Sequence, residues 1–433
     1  MGLRYFSSIS AFLRPLLFFS FALPLLGPVA CAQADEEGQF HYLVYGTLGI
    51  SHDDSSNLAA MRDISQRPKK LNLMNNSWVK DSRIGLQASY QFNSYMDVMT
   101  QGVLRDQYDT SLNRYLDWAY VNVHPTPALD ARLGRVGYDV FLMSDHRNLG
   151  YAYPWVRPPV EFYGWVPVYS IDGGDVAYTL QNDAVRWRFK GQMGRTGLKF
   201  PMGADAEYNF KSDQIWSISI ARETDTWRIK GGYSQCIPKT DASMLAPLQS
   251  GLAAVSAAGI PGVSNESSDL LRELTYKDVT LRYVNLGLAY DDGTWLGQAE
   301  LGSVVTTADM MPNGTMAYIG LGRRLGDFTP FMLLSGIRSN APVRQTSGSW
   351  AVMGPSGPIL QTAVVKALNS TRFDQETGSL GVRWDANSHV ALKVQWDSTH
   401  IYSNGYGLWY SDEGQVTKNA RVNMLSATMD FIF

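Results

Sequence analysis

The chain has 433 residues, 37 basic against 40 acidic side chains, a net charge of −3 and 12% aromatic content. That balance excludes a partner recognised through a strong basic field, nucleic acid above all. The two cysteines, Cys31 and Cys236, are too few for a disulfide framework.

In chain order the first element is an export signal. Arg4 and Arg14 precede the apolar run Leu16 to Leu26, which ends in Gly27-Pro28-Val29-Ala30-Cys31-Ala32-Gln33-Ala34. The run contains Pro24 and is short of the roughly 20 residues of a spanning helix. Residues 1–34 therefore read as a signal peptide cleaved after Ala34; lipidation at Cys31 fits less well, because Pro28 stands where a lipobox wants Leu. Losing Arg4 and Arg14 from the 37 basic residues leaves 35 against 40 acidic ones, a net charge of −5. No later apolar stretch reaches spanning length. A chain exported with this composition is either soluble outside the cytoplasm or inserted as a β-barrel, whose strands hide their apolarity by alternation.

The mature chain shows such alternation. From Arg83 to Phe92 the residues Ile84, Leu86, Ala88, Tyr90 and Phe92 interleave with polar or small ones. The same period of two recurs at Val185 to Met193, Trp227 to Tyr233, Leu380 to Asp385 and Val390 to Asp397. Strands are expected near 40–51, 82–92, 95–106, 115–124, 128–136, 169–180, 184–194, 214–222, 226–234, 279–290, 294–305, 315–325, 328–338, 376–385, 389–398 and 421–433. This is an all-β architecture, a transmembrane up-and-down antiparallel barrel of about 16 strands, with 14 or 18 as alternatives. The connections alternate between short turns rich in Asn, Asp, Gly and Pro and long loops at 52–81, 107–114, 137–168, 195–213, 235–278, 306–314, 339–375 and 399–420. Such sorting by side suits short periplasmic turns and long outer loops. Tyr90, Tyr95, Trp118, Trp227, Tyr290, Trp295, Trp384 and Trp396, near strand ends, suit the aromatic girdles of the two interfaces.

The closing stretch Asn423 to Phe433 alternates and ends on an aromatic. It resembles the last strand of Gram-negative outer-membrane porins, and Leu325 to Phe331 and the hairpin Leu380 to Asp397 look like porin hairpins. The resemblance implies a bacterial outer-membrane location, reached through the periplasm, and a passive diffusion channel for small hydrophilic solutes and ions. It also implies outer-membrane lipid as surroundings, insertion machinery that reads Phe433, and a possible homotrimer. In general porins the third outer loop folds into the barrel. Here that loop, 137–168, carries Asp139, Asp145, Arg147, Arg157 and Glu161, and its Pro-Val-Glu-Phe-Tyr-Gly stretch loosely echoes the family's constriction motif.

If apolar positions face lipid, the interleaved ones line the bore. That places Arg83, Arg132, Arg186, Arg188, Lys190, Arg228, Lys230, Arg383 and Lys393 inside, with Asp97, Asp117, Asp130, Glu300, Asp385 and Asp397. Charged rings select ions, so a basic wall sector with a transverse field opposite the acidic loop is one expectation; the other is that these charges merely keep a wide lumen wet. A substrate-specific channel, in which the aromatic loop stacks on a sugar or organic acid, is the alternative to general diffusion. An enzyme is disfavoured: the six histidines are scattered and no G-x-S-x-G, H-E-x-x-H or P-loop pattern occurs. The best seed for one is His400 near Asp397 and Ser398. Ser51 to Asn57 has oxygens for calcium but not a recognised spacing, and Ser250 to Ser264 is a candidate short helix or plug. No cofactor or metal is implied.

Overall fold

The computed structural model describes residues 38–66, 76–201, 207–240, 245–274, 279–308, 313–403, 408–410 and 419–433. The expected signal peptide lies outside them. Sixteen long strands form the wall: β1 Gln39–Asp53, β2 Arg83–Asn93, β3 Met96–Arg105, β4 Leu116–Thr126, β5 Leu129–Gly137, β6 Ser170–Gln181, β7 Arg186–Pro201 and β8 Glu207–Glu223. The second half comprises β9 Trp227–Thr240, β10 Leu281–Asp291, β11 Trp295–Thr306, β12 Gly314–Arg323, β13 Phe328–Ser339, β14 Asp374–Asn387, β15 Val390–Ile401 and β16 Ala420–Ile432. Each pairs antiparallel with its sequence neighbour. The ring closes where β1 runs beside β16, from Tyr45 opposite Ile432 to Asp53 opposite Met424.

Closure follows from alternation. Along β10 the exposed Arg282, Val284, Leu286 and Leu288 interleave with buried Tyr283, Asn285 and Gly287. A flat sheet with that apolar face would leave two edges unpaired. A cylinder pairs every backbone N–H within the wall, which hydrocarbon requires because it offers no substitute. No described helix is long and apolar enough to cross a membrane. Trp227, Trp295, Phe328 and Trp384 are exposed beside the short turns, with Trp227 against Tyr290 at 4.6 Å and Phe328 stacked on Trp384. Trp118 differs from expectation: it is half-buried and packs on the core inside the barrel, where a Cβ at Gly137 would stand 2.9 Å from its Nε1.

The wall is uneven in height. The strands β2 to β5 are 9 to 11 residues long, whereas β7 and β8 have 16 and 17. The long loop expected at 195–213 is therefore mostly strand, because Leu198 and Ile215 continue the buried face and Phe200 and Phe210 pack against the same core. Among the described residues, the long-loop side also carries three helices of more than ten residues, α1 Ala246–Ala257, α2 Val263–Glu273 and α3 Ser356–Leu368. They pack around Leu252, Leu274, Trp350 and Val364 as a small cluster of their own. The Ala-rich stretch at 250–264 is thus helical, but it forms a cap and not a plug.

Candidate functional site

The interior is filled by the loop between β5 and β6, residues 138–169, hereafter the inner loop. Pro154, Pro158 and Pro159 remove three backbone donors and bar a continuous helix or strand; only short turns form, at Gly150–Ala152 and Val160–Tyr163. A loop buried in this way leaves backbone groups that no ladder satisfies. Wall side chains satisfy them. Gln192 Oε1 accepts from Asp139 N (2.8 Å), Glu300 Oε2 from Leu142 N (2.9 Å) and Gln395 Oε1 from Val156 N (2.9 Å). Lys393 Nζ donates to the carbonyls of Gly150 (2.6 Å) and Trp155 (2.9 Å), Arg83 Nε to that of Asn148 (2.7 Å), and Arg383 to those of Tyr151 and Tyr153.

Apolar packing adds to these ties. Phe141, Trp155, Phe162, Tyr163 and Trp165 are buried against Tyr283, Met316, Tyr318, Phe331 and Ile337 of the wall, in one cluster. Inward-facing glycines make the room. A Cβ at Gly320 would lie 2.6 Å from the Trp155 ring, one at Gly302 3.3 Å from Phe162, and one at Gly232 2.7 Å from the Val140 carbonyl. Any larger residue there would collide with the loop.

Charges lock the loop at three points. Arg157 forms a fork with Asp81 (2.8 Å for both nitrogens), reaches Asp397 (2.8 Å) and donates to Ser426. Asp139 meets Lys190 (3.0 Å) and Lys230. Glu161 accepts from Ser335 (2.6 Å), Gln375 (2.8 Å) and Thr377 (2.5 Å). Nearby, Lys393 pairs with Asp430 at 3.0 Å, both fully buried. Fully dehydrated charges are tolerated only with partners of this quality.

The structure thus brings Asp139, Arg157 and Glu161 into direct contact with the wall, together with Arg83, Lys190, Lys230, Arg383 and Lys393. Acidic loop and basic wall meet at contact distance where Lys190 and Lys230 both reach Asp139. Arg147 is buried over the Tyr169 ring at 3.7 Å, and Asp145 is exposed. Arg132 pairs with Asp175 at 2.6 Å. Toward the short-turn mouth the charges stay partly exposed: Arg228 with Glu223 (2.9 Å), Arg186 near Glu223 (3.9 Å), Arg188 near Asp130 (3.5 Å), Arg383 with Asp385 (2.6 Å), and His124 between Asp97 and Asp130 at 2.7 Å each. Asp117 lies deeper, buried against Arg105 at 2.8 Å.

Phe433 is exposed, and its backbone exchanges hydrogen bonds with Val44 of β1 (2.7 and 2.9 Å). His400 and Asp397 do not form a catalytic pair: Asp397 faces the interior and is held by Arg157, whereas His400 lies on the opposite face stacked on Tyr402. In the 51–57 stretch Asp54 binds Asn423 and Asp53 caps Ser55; no metal-holding group occurs among the described residues.

Sequence reasoning missed Asp81, Asp175, Gln192, Gln395 and Asp430. Of these, Asp175, Gln192, Gln395 and Asp430 sit at inward positions of the period-two pattern and were legible by parity. Asp81 sits in a loop and carried no signal. The inward glycines were also legible, as gaps in the polar register.

A closed sixteen-stranded antiparallel wall with its third long loop folded inside defines the class, an up-and-down β-barrel. No family model and no curated protein matches the chain. Among solved structures it is similar to the outer-membrane channel DcaP of Acinetobacter baumannii, with TM-score 0.51 and 9% identity over 93% of this chain and 99% of that one. It also matches a Salmonella typhi OmpF complexed with daunomycin, with TM-score 0.49 and 12% identity over 91% and 97%. A loop-deletion mutant of OmpT, an outer membrane protein of Vibrio cholerae, matches with TM-score 0.47 and 12% identity over 92% and 100%.

Proposed function

We propose that the protein is a channel of the bacterial outer membrane for small hydrophilic solutes and ions, and that the inner loop governs what passes. The carrying observation is a lipid-compatible cylinder whose inward face mixes charged, polar and aromatic side chains and whose bore is occupied by one loop of its own chain. No catalytic role is assigned to it. Arg83, Arg132, Arg186, Arg188, Lys190, Arg228, Lys230, Arg383 and Lys393 are its lining cations, and Asp139, Asp145, Arg147, Arg157 and Glu161 the loop's charged set. Phe433 is the contact for insertion machinery, and a homotrimer is the assembly proposed with it. The aromatic packing of the loop favours a restricted, substrate-selective channel over a wide general pore. Single-channel recording and liposome swelling with graded solutes test this: small conductance steps and uptake that saturates are expected. Folded, inserted protein that passes neither ions nor solutes would overturn the channel reading.

A further inference from the structure

Among the described residues, Glu300 stands apart from the other wall carboxylates packed on the inner loop. Asp397 and Asp430 each meet a guanidinium or ammonium. Glu300 is nine-tenths buried and accepts only from neutral groups: Tyr318 Oη (2.7 Å) and Asn285 Nδ2 (3.3 Å) on the wall, and Leu142 N (2.9 Å) and the Tyr163 hydroxyl on the loop. Half of its partners therefore belong to the element that fills the bore. Beside it, Tyr283 Oη and Asn285 Oδ1 are buried with no hydrogen-bond partner, a cost that a built interior ordinarily avoids. The rings next to these groups also come in pairs across the contact, Phe141 of the loop with Tyr283 of the wall and Phe162 with Tyr318, each at 5.2 Å between centres.

Withdrawing Leu142, Phe162 and Tyr163 alone, with the ties at Asp139, Arg157 and Glu161 left in place, would leave on the wall a carboxylate, two phenols and a primary amide, between the side-chain-free positions Gly287 and Gly302. Donors and acceptors mixed over aromatic faces suit a ligand that carries hydroxyls around an apolar C–H face. We propose that Tyr283, Asn285, Glu300 and Tyr318 form a recognition site for a neutral polyhydroxylated solute. In the resting state, Leu142, Phe162 and Tyr163 occupy it as an internal substitute. The Tyr163 hydroxyl and the Leu142 amide donate to Glu300 as a solute's hydroxyls would. A solute also reaches the two polar atoms that the loop leaves unpaired, so exchange recovers hydrogen bonds. A cationic occupant is disfavoured, because the Lys230 ammonium is held at 2.8 Å from the carbonyl of Phe141, adjacent to Leu142.

The inference rests on the channel reading, and the experiment separates the two. Wild-type protein and Tyr283→Phe, which removes only an unpaired hydroxyl, are recorded in planar bilayers with glycerol, glucose or maltose added. Binding is followed in parallel by tryptophan fluorescence of detergent-folded protein titrated with maltose. The expected result is a saturable current change with glucose or maltose in the wild type. In Tyr283→Phe the half-saturating concentration should be about tenfold higher, the scale of one lost neutral hydrogen bond. Current that falls linearly with solute mass and identically in both proteins would overturn the site, as would block by tetramethylammonium and not by polyols. Absence of any ion current would instead defeat the channel reading, and the fluorescence titration would still decide the site.

Discussion

Two outer regions of this barrel are built from long connections and end up opposite in kind. The inner loop has no regular structure of its own and borrows backbone partners, counter-charges and packing from strands around the ring. The helical cap, made from the connections after β9 and β13, has its own apolar cluster. Its two halves are tied by Glu266, which accepts from Trp350 Nε1 (2.8 Å) and the Ser347 hydroxyl (2.9 Å). The difference lies in local preference. Three prolines within Tyr151 to Trp165 leave room for no helix longer than the single turn Val160–Tyr163, whereas the Ala- and Leu-rich α1 and α3 run for 12 and 13 residues. A loop without internal structure shares the stability of whatever surrounds it; one with its own core does not.

The largest test of that contrast is Arg157→Ala. It strands Asp81 and Asp397 in a dry interior, and breaking a buried pair costs about 3–5 kcal/mol. The folded, heat-modifiable band on gel electrophoresis should be lost or should melt far earlier. An unchanged band would mean that loop and wall are not one cooperative unit. Next in size is a functional lock. Introducing Leu142→Cys and Gly287→Cys in a Cys236→Ser background places the new Cβ at position 287 about 3.2 Å from that of residue 142, just short of the usual disulfide separation. Oxidation should abolish the sugar-dependent current change and reduction restore it. Identical records in both states would show that the loop does not move during passage.

A smaller effect is expected from Gly320→Val, which presses on Trp155; overpacking of this kind costs about 1–3 kcal/mol. Its melting temperature should fall and protease should reach the inner loop, while the cap stays intact. The smallest effect belongs to the cap. Burial raises the Glu266 carboxyl, but the hydrogen bonds from Trp350 and Ser347 outweigh it and hold its pKa below the ordinary value. The stabilisation is then present above the usual glutamate range, near pH 4.3, and fades as pH falls through the lowered value. Protection from hydrogen exchange at the amides of Ser347 and Gly348 should fall as pH drops below the usual glutamate range, with the barrel unchanged, and Glu266→Gln should remove the pH dependence. An equal loss of protection in the strands would contradict a separable cap.

Much of the wall was legible beforehand. All sixteen strands fall where alternation placed them, and all seven short turns lie where Asn, Asp, Gly and Pro cluster, since both signals are local. The strand lengths of β7, β8 and β9 were not, because continued alternation past Gly194 is diluted by Gly197 and Pro201. Individual charges were placed on the right face, yet their partners were not: parity says that Lys190 and Lys230 point inward, not that both converge on Asp139.

What the amino-acid order determined by itself was the cylinder, because a period of two, a greasy outward face and tight turns at one end are statements about neighbours along the chain. Only the tertiary structure decided that the inner loop is bound across the bore. Whether Arg157 meets Asp81 and Asp397, or Trp155 finds the gap above Gly320, depends on residues far apart in sequence that closure of the ring brings to one depth. No local preference encodes that distance.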